Sequence, residues 1–267
     1  MWLPAFDGPY DERGGIWRCL SDARRSAIEP LLRHYRAVRE REGRRRLDAA
    51  YYRALPAVAA DDPHAAEWRI RRESFAHLLR GCFAAAPQAC RVLDLGAGCG
   101  WLSHRLAALG HRVVSVDVLD DEVDGLGAAK HYDVAFAAVQ ADFERLPFGP
   151  HQFDVVDFNG SLHYASDVAA TLDGARRMLA PAGTLVVMDS PMFRSSRDGD
   201  AMMARRADSV HGAGYVMYAE LARFAAAHGM SAAFAPSRGP LAWRLRRAAA
   251  RLRLGRAPAA FGVWIAR

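Results

Sequence analysis

Apolar and polar positions follow one dominant rhythm in the middle of this chain. From Arg91 onward, short apolar runs recur, several of them followed by apolar positions at helical spacing. Arg91–Leu95, Arg112–Asp117, Val134–Val139, Phe153–Phe158 and Thr184–Asp189 read as strands. Trp101–Leu109 reads as a helix with Leu102, Leu106 and Leu109 on one side, ended by Gly110. A weaker helix is expected near Asp121–Lys130 and a firmer one over Asp167–Leu179. Tyr218–His228 is helical, and Ser231–Ala235 and Phe261–Ala266 read as two last strands. Strands joined by helical crossovers imply an α/β class and a parallel, doubly wound sheet.

The flanks differ. Residues 1–20 carry Pro4, Gly8, Pro9, Gly14 and Gly15 and read as irregular. A helix is expected from Ser21 to about Glu42, with Ile28, Leu31, Leu32, Tyr35 and Val38 as its apolar side. Asp62-Pro63 opens another, through Trp68, Ile70, Phe75 and Leu78. We therefore divide the chain into an N-terminal helical extension or cap, 1–85, and a ligand-binding domain, 86–267. The rhythm breaks at 190–217, which reads as an insertion on the substrate side. Leu241–Leu254 is a basic amphipathic helix, expected to pack on its own domain.

Composition changes this picture little. Of 267 residues, 51% are hydrophobic and 25% charged, as in ordinary globular domains. No apolar run approaches a membrane span and the first residues do not form a secretory signal, so a cytoplasmic location is expected. Cys19, Cys82, Cys90 and Cys99 form no C-x-x-C pair, and no metal site is expected. The net charge of +6 is carried almost wholly by arginine, Lys130 being the single lysine. Such a bias fits a GC-rich coding sequence and weakens any inference to nucleic acid.

The candidate chemistry begins at Val92-Leu93-Asp94-Leu95-Gly96-Ala97-Gly98-Cys99-Gly100-Trp101. A strand runs into a glycine turn that opens a helix, a small-molecule site at the carboxyl end of a strand. Dinucleotide enzymes place G-x-G-x-x-G there, to seat a pyrophosphate on the helix N-terminus. This chain has G-x-G-x-G, with Asp94 two residues ahead of the first glycine, which suits a cationic ligand better. A second marker is Asp117 at the end of the second strand, where a carboxylate can accept both ribose hydroxyls.

The stretch resembles motif I of the class I S-adenosylmethionine (SAM)-dependent methyltransferases, a hydrophobic run followed by D/E-x-G-x-G-x-G. It matches at Asp94, Gly96, Gly98 and Gly100. Gln140-Ala141-Asp142-Phe143 and the following Leu146-Pro147-Phe148 resemble the type 11 subgroup. The resemblance covers roughly residues 70–190. It implies a Rossmann-like doubly wound sheet, mostly parallel, with an antiparallel hairpin from the last two strands at its edge. It also implies SAM as cofactor, bound by Asp94, Gly96, Ala97, Gly98, Asp117, Val118, Asp142, Phe143 and Asn159. Asp117 would hold the ribose and Asp142 the adenine amino group, with Phe143 flanking the ring. Asn159 would lie beside the sulfonium. The family commonly covers its cofactor with the helix that here carries Trp68, Arg69, Arg71 and Arg72.

Asn159-Gly160-Ser161-Leu162 departs from the N/D-P-P-Y form used to methylate amides and base nitrogens. The Leu162-His163-Tyr164 segment instead resembles small-molecule methyltransferases, with His163 either a general base or a residue that shapes the pocket. The expected reaction is methyl transfer to the O, N or C of a small molecule. The alternatives are an RNA-directed or other nucleic-acid-binding protein of this fold and, disfavoured, an NAD-dependent oxidoreductase. The acceptor pocket is expected from segments outside the core, the 190–217 insertion above all. Met192, Phe193, Met202 and Met203 would line it for an uncharged acceptor, or Arg194 and Arg197 would hold a carboxylate or phosphate instead, the other reading of the methionines being ordinary packing. Asp157 is a charge inside a strand that should be buried, and a buried carboxylate needs partners.

Overall fold

The computed structural model describes residues 2–46, 48–84, 88–205 and 212–267. Its elements begin with a small hairpin, β1 (Asp11–Arg13) and β2 (Ile16–Arg18). Gly14 and Gly15 have φ of 62° and 78°, as a two-residue turn with both central residues left-handed demands. Three helices follow: α1 (Asp22–Arg41), α2 (Ala49–Ala54) and α3 (Ala65–Leu78). Ser21 caps α1 by accepting the Arg24 N–H.

The alternating core then runs β3 (Arg91–Leu95), α4 (Trp101–Ala108), β4 (Arg112–Asp117), β5 (Ala137–Gln140), β6 (Phe153–Asn159), α5 (Val168–Met178) and β7 (Leu179–Met188). Beyond it lie β8 (Met192–Phe193), α6 (Ser196–Met203), β9 (Val216–Met217), α7 (Tyr218–Ala227), β10 (Ala232–Pro236), α8 (Leu241–Leu254) and β11 (Gly262–Ala266).

The main sheet has the order β1-β2-β5-β4-β3-β6-β7-β11-β10. Strands β2, β5, β4, β3, β6 and β7 are mutually parallel, and β11 and β10 close one edge antiparallel. The chain winds outward from β3 to β5, returns to β6 and continues the other way. The reversal lies between β3 and β6, and open α/β sheets bind ligands at the carboxyl ends of strands beside such a switch point. Both faces of the sheet are covered, so β3 and β6 are almost wholly buried, with Leu93, Leu95, Val156 and Phe158 at the centre of the core.

Two features depart from the sequence reading. Residues 1–20 are not wholly irregular, because β2 pairs with β5 and extends the sheet. The N-terminal 85 residues are thus partly β and partly continuous with the main sheet. In place of a helix near Asp121–Lys130 there is a 3-10 turn at Leu126–His131. A Cβ on Gly125 would meet the Leu119 carbonyl oxygen at 2.5 Å, a packing that suits a tight turn.

Candidate active site

The glycine turn after β3 is tied to the loop after β4 by backbone and side chain together. Gly96 and Ala97 both donate to the Val116 carbonyl, at 2.8 and 3.0 Å. Asp117 accepts the Gly98 N–H at one oxygen and the Leu119 N–H at the other, each at 2.8 Å. Gly96 has φ of 71°, and a Cβ there would lie 2.3 Å from that of Ser161. Gly98 is left-handed too, at 55°, but the space above it is open, its nearest atom being the Asp124 carbonyl at 3.8 Å. The turn therefore packs tightly on its β6 side and leaves room at Gly98.

That room is a cavity of about 210 Å³ at the carboxyl ends of β3, β4, β5 and β6. Of the cofactor residues expected from sequence, Gly96, Ala97, Gly98, Asp117, Val118, Asp142, Phe143 and Asn159 all line it. They arrive from four different strand ends. Phe143 rests edge-on against Phe158, with ring centroids 5.8 Å apart, and Gln140 holds the Val118 carbonyl from below at 3.1 Å. Burial pushes the Asp117 carboxyl up to about 6 against the pull of its backbone N–H donors.

Asp94 does not line the cavity. It is fully buried under the turn, where it accepts the Ser103 hydroxyl at 2.6 Å; Ser103 in turn accepts from Ser115 at 2.7 Å. Its position explains the difference: strand alternation turns Asp94 toward α4 and leaves the cavity to the glycine backbone two residues on. Its carboxyl is raised to about 7 by desolvation, and the neighbouring Asp117 adds to the shift. Asp157 is paired in register with Asp94 across β3 and β6, and both of its oxygens are buried without a hydrogen-bond partner among the described residues. Burial, then Asp94 and Asp189, push it well above the usual carboxylate range.

His163 does not line the cavity either. It is buried in a 3-10 turn at Leu162–Tyr164, with Nδ1 3.4 Å from the Ser190 hydroxyl and its ring against Tyr164. Tyr164 is the member of that turn that reaches the cavity. No described residue of the 190–217 insertion lines it. Met192 and Phe193 are buried in the body of the protein as β8, which pairs with β9, and Met203 packs on Gly214. Met192, Phe193 and Met203 are thus engaged in packing away from this cavity. Residues 206–211 of the insertion lie outside the described residues.

The wall opposite the glycine turn comes from α1 and α3. Along α1, Arg24, Ile28, Leu31, Leu32, Tyr35 and Arg39 form one stripe at helical spacing. Arg24 grips Asp142, and Arg39 grips Asp124, with Nη2 at 2.7 Å. The helix α3 adds Trp68, which meets Trp101 edge-on at 5.9 Å, and Arg71, stacked 5.4 Å from the Trp68 ring. Sequence pointed to Trp68 and Arg71 but not to α1. The signal was an apolar stripe that ends in an arginine at each end, a pattern for a helix lying over a cleft lined by carboxylates.

The donor set suits a cationic nucleoside ligand. Asn159 Oδ1 is buried at the cavity without a hydrogen-bond partner among the described residues, an acceptor waiting for an N–H. Asp117 lies on the same wall, and the aromatic residues Trp68, Trp101, Tyr35 and Tyr164 line the cavity, a lining that suits a cationic ligand. No helix among the described residues is long and apolar enough to cross a membrane. Cys19, Cys82, Cys90 and Cys99 are free thiols.

A doubly wound sheet with a glycine turn after β3 and an acidic residue at the end of β4 is the arrangement in which open α/β sheets bind adenosine cofactors. Comparison with known proteins narrows this: residues 93–187 match the family described as "Methyltransferase domain". The match and the relatives below support a class I SAM-dependent methyltransferase core over these residues. It is 34% identical over 103 residues to a malonyl-[acyl-carrier protein] O-methyltransferase of Erwinia pyrifoliae, covering 39% of this chain and 38% of the relative. It is 40% identical over 99 residues to a demethylmenaquinone methyltransferase of Beutenbergia cavernae, covering 37% and 40%. The chain thus spans about two fifths of the length of these curated relatives. Among solved structures, magnesium protoporphyrin IX methyltransferase of Synechocystis PCC 6803 with bound SAH superposes with a TM-score of 0.56 at 12% identity, over 91% of this chain and 96% of that one. A 1,6-didemethyltoxoflavin-N1-methyltransferase of Burkholderia thailandensis gives 0.52 at 19%, over 93% and 91%. These likenesses establish the fold.

Proposed function

We propose that the protein transfers the methyl group of SAM to a small-molecule acceptor. The observation that carries this reading is the convergence of Gly98, Asp117, Asp142, Phe143 and Asn159, from four strand ends, on one cavity. The curated relatives named above methylate small molecules or a carrier-bound acyl group, according to their names, which favours the same class of acceptor here. The cofactor supplies an electrophilic methyl on a positive sulfur. Asp117 would hold the ribose, Asp142 the adenine amino group, and Asn159 Oδ1 the cofactor's ammonium.

The residues of this chain contribute position and desolvation more than proton chemistry. Displacement at the sulfonium discharges its positive charge, so the leaving group needs little help. What must be supplied is an in-line approach and the exclusion of water. The α1 stripe and Trp68 would exclude water from above. Tyr164 lies on the cavity wall and His163 behind it, so His163 is better placed to support Tyr164 than to touch an acceptor. Asp94 would act through the turn, by fixing α4 beneath it. The protein would work in the cytoplasm.

Titration calorimetry with S-adenosylhomocysteine and with NAD tests the reading. Binding of S-adenosylhomocysteine with no heat from NAD is the expected result. NAD binding without S-adenosylhomocysteine binding would replace the methyltransferase reading with an oxidoreductase.

A further inference from the structure

The helix α8, Leu241–Leu254, is the least buried long element of the fold. None of its described residues is buried, and Leu241, Leu245 and Leu252 are 65%, 61% and 87% exposed. At 3.6 residues per turn these leucines and Ala248 share one stripe about 60° wide. Arg244 and Arg251 flank the stripe on one side and Arg253, farther round, on the other, while Arg246 lies toward the back. Trp243 and Arg247 lie opposite and face the body: the Arg247 guanidinium stacks 4.0 Å from the Trp243 ring and donates to the Ala259 carbonyl. The helix is therefore anchored by its back and presents the leucines outward.

Charge points to the occupant. From Leu221 to Arg267 the chain contains no Asp or Glu. The arginines that flank the stripe, with Arg256 beyond it, thus have no acidic neighbour in their own stretch of chain. A surface that is apolar along its centre and cationic on both margins matches an anionic lipid interface, which takes leucine into the acyl boundary and arginine at the phosphates. A nucleic acid backbone would use the arginines and leave the leucines in water.

We propose that α8 is a membrane-surface docking helix that seats the protein on anionic lipid. This goes beyond the methyl-transfer reading and stands without it. The loop that leads into α8 is held by α3: Glu73 accepts the Arg238 and Gly239 N–H groups at 2.9 and 2.8 Å. Through Trp68 and Arg71 the same α3 lines the cavity, so docking brings a wall of the site close to the lipid surface.

Sedimentation of the full chain with vesicles tests this. The probes are phosphatidylcholine alone and phosphatidylcholine mixed with phosphatidylglycerol. The expected result is partitioning at least about tenfold stronger onto the anionic vesicles, weakened by salt. The double variant Leu245→Glu/Leu252→Glu should lose about tenfold or more of that partitioning while keeping the parent's thermal unfolding midpoint. Equal partitioning onto both vesicles, or onto neither, overturns the proposal; the latter would leave the face to an acidic protein. Undiminished binding by the double variant overturns it as well, as would a lowered midpoint, which would show the leucines to be packed.

Discussion

Arg24 reaches Asp142 with two donors: Nε, at 2.8 Å, and Nη2 meet the same carboxylate oxygen. The pair joins the first turn of α1 to the loop after β5, and Asp142 is 7% exposed. It is also the residue proposed to hold the adenine amino group. Arg24 thus leaves Asp142 Oδ1, which among the described residues accepts only the Glu144 N–H at 3.0 Å, as the oxygen open to a ligand. Replacing Arg24 by alanine should free the end of α1 and leave a largely buried carboxylate unpaired. A loss of about 1–2 kcal/mol in closure corresponds to roughly 5–30-fold faster release of S-adenosylhomocysteine. Stopped-flow displacement measures it; an unchanged release rate would show that α1 does not gate the cavity.

Asp117 carries a second prediction. Its two oxygens already bridge the loops after β3 and β4. Asp117→Ala should weaken S-adenosylhomocysteine by about 1–3 kcal/mol, or roughly 5–150-fold. The ribose hydroxyls need an ionised acceptor, and burial raises this carboxyl to about 6. Affinity should therefore fall as the pH drops through 6, and the Asp117→Asn variant should lose that dependence. Calorimetry across pH 5–8 decides; a pH-independent parent affinity would remove Asp117 from the ribose role.

Much of this site was legible in the sequence because it rests on backbone. The glycine spacing at Gly96, Gly98 and Gly100 and the strand-end acids Asp117 and Asp142 are local signals, and a doubly wound sheet gathers strand ends without further instruction. Three things were not legible. Whether Asp94 faces ligand or core depends on the strand's register against α4. The roles of α1 and of residues 190–217 depend on long-range packing, and a stripe such as Ile28, Leu32 and Tyr35 does not name what it covers. The hairpin at β1 and β2 was hidden by its shortness, since three-residue strands carry too little alternation to register.

The buried acids set the dependence of stability on pH. Asp94 is raised to about 7, Asp189 to about 6, and Asp157 well above the usual carboxylate range, each chiefly by burial. A carboxyl whose folded pKa exceeds its unfolded value binds its proton more tightly when folded. Its stabilising contribution is complete below the unfolded value near 3.8 and is lost as the pH rises through the folded one. Unfolding by urea should thus show stability declining between about pH 4 and 7. Asp157→Asn should raise stability by about 1–3 kcal/mol at pH 8 and change it little at pH 5. A variant less stable than the parent at pH 8 would show that Asp157 has a charged partner.

His163 separates a supporting role from a chemical one. Its ring lies 4.2 Å from that of Tyr164 between centroids, and Tyr164 is the neighbour that reaches the cavity. Removing a buried imidazole leaves a void behind Tyr164, so His163→Ala should destabilise the fold by about 1–3 kcal/mol. S-adenosylhomocysteine affinity should fall only a few-fold, through looser placement of Tyr164. His163→Phe refills the void without restoring a proton acceptor. If His163 only supports, this variant should recover both stability and methyl transfer, with the acid limb of the pH–rate profile unmoved. If His163 is the base, stability should return while turnover stays low by about 100-fold or more. Unfolding midpoints and single-turnover methyl transfer, measured on both variants with an accepted substrate, distinguish the two. The geometry favours recovery by phenylalanine, because the cavity is bounded by the tyrosine and not by the imidazole.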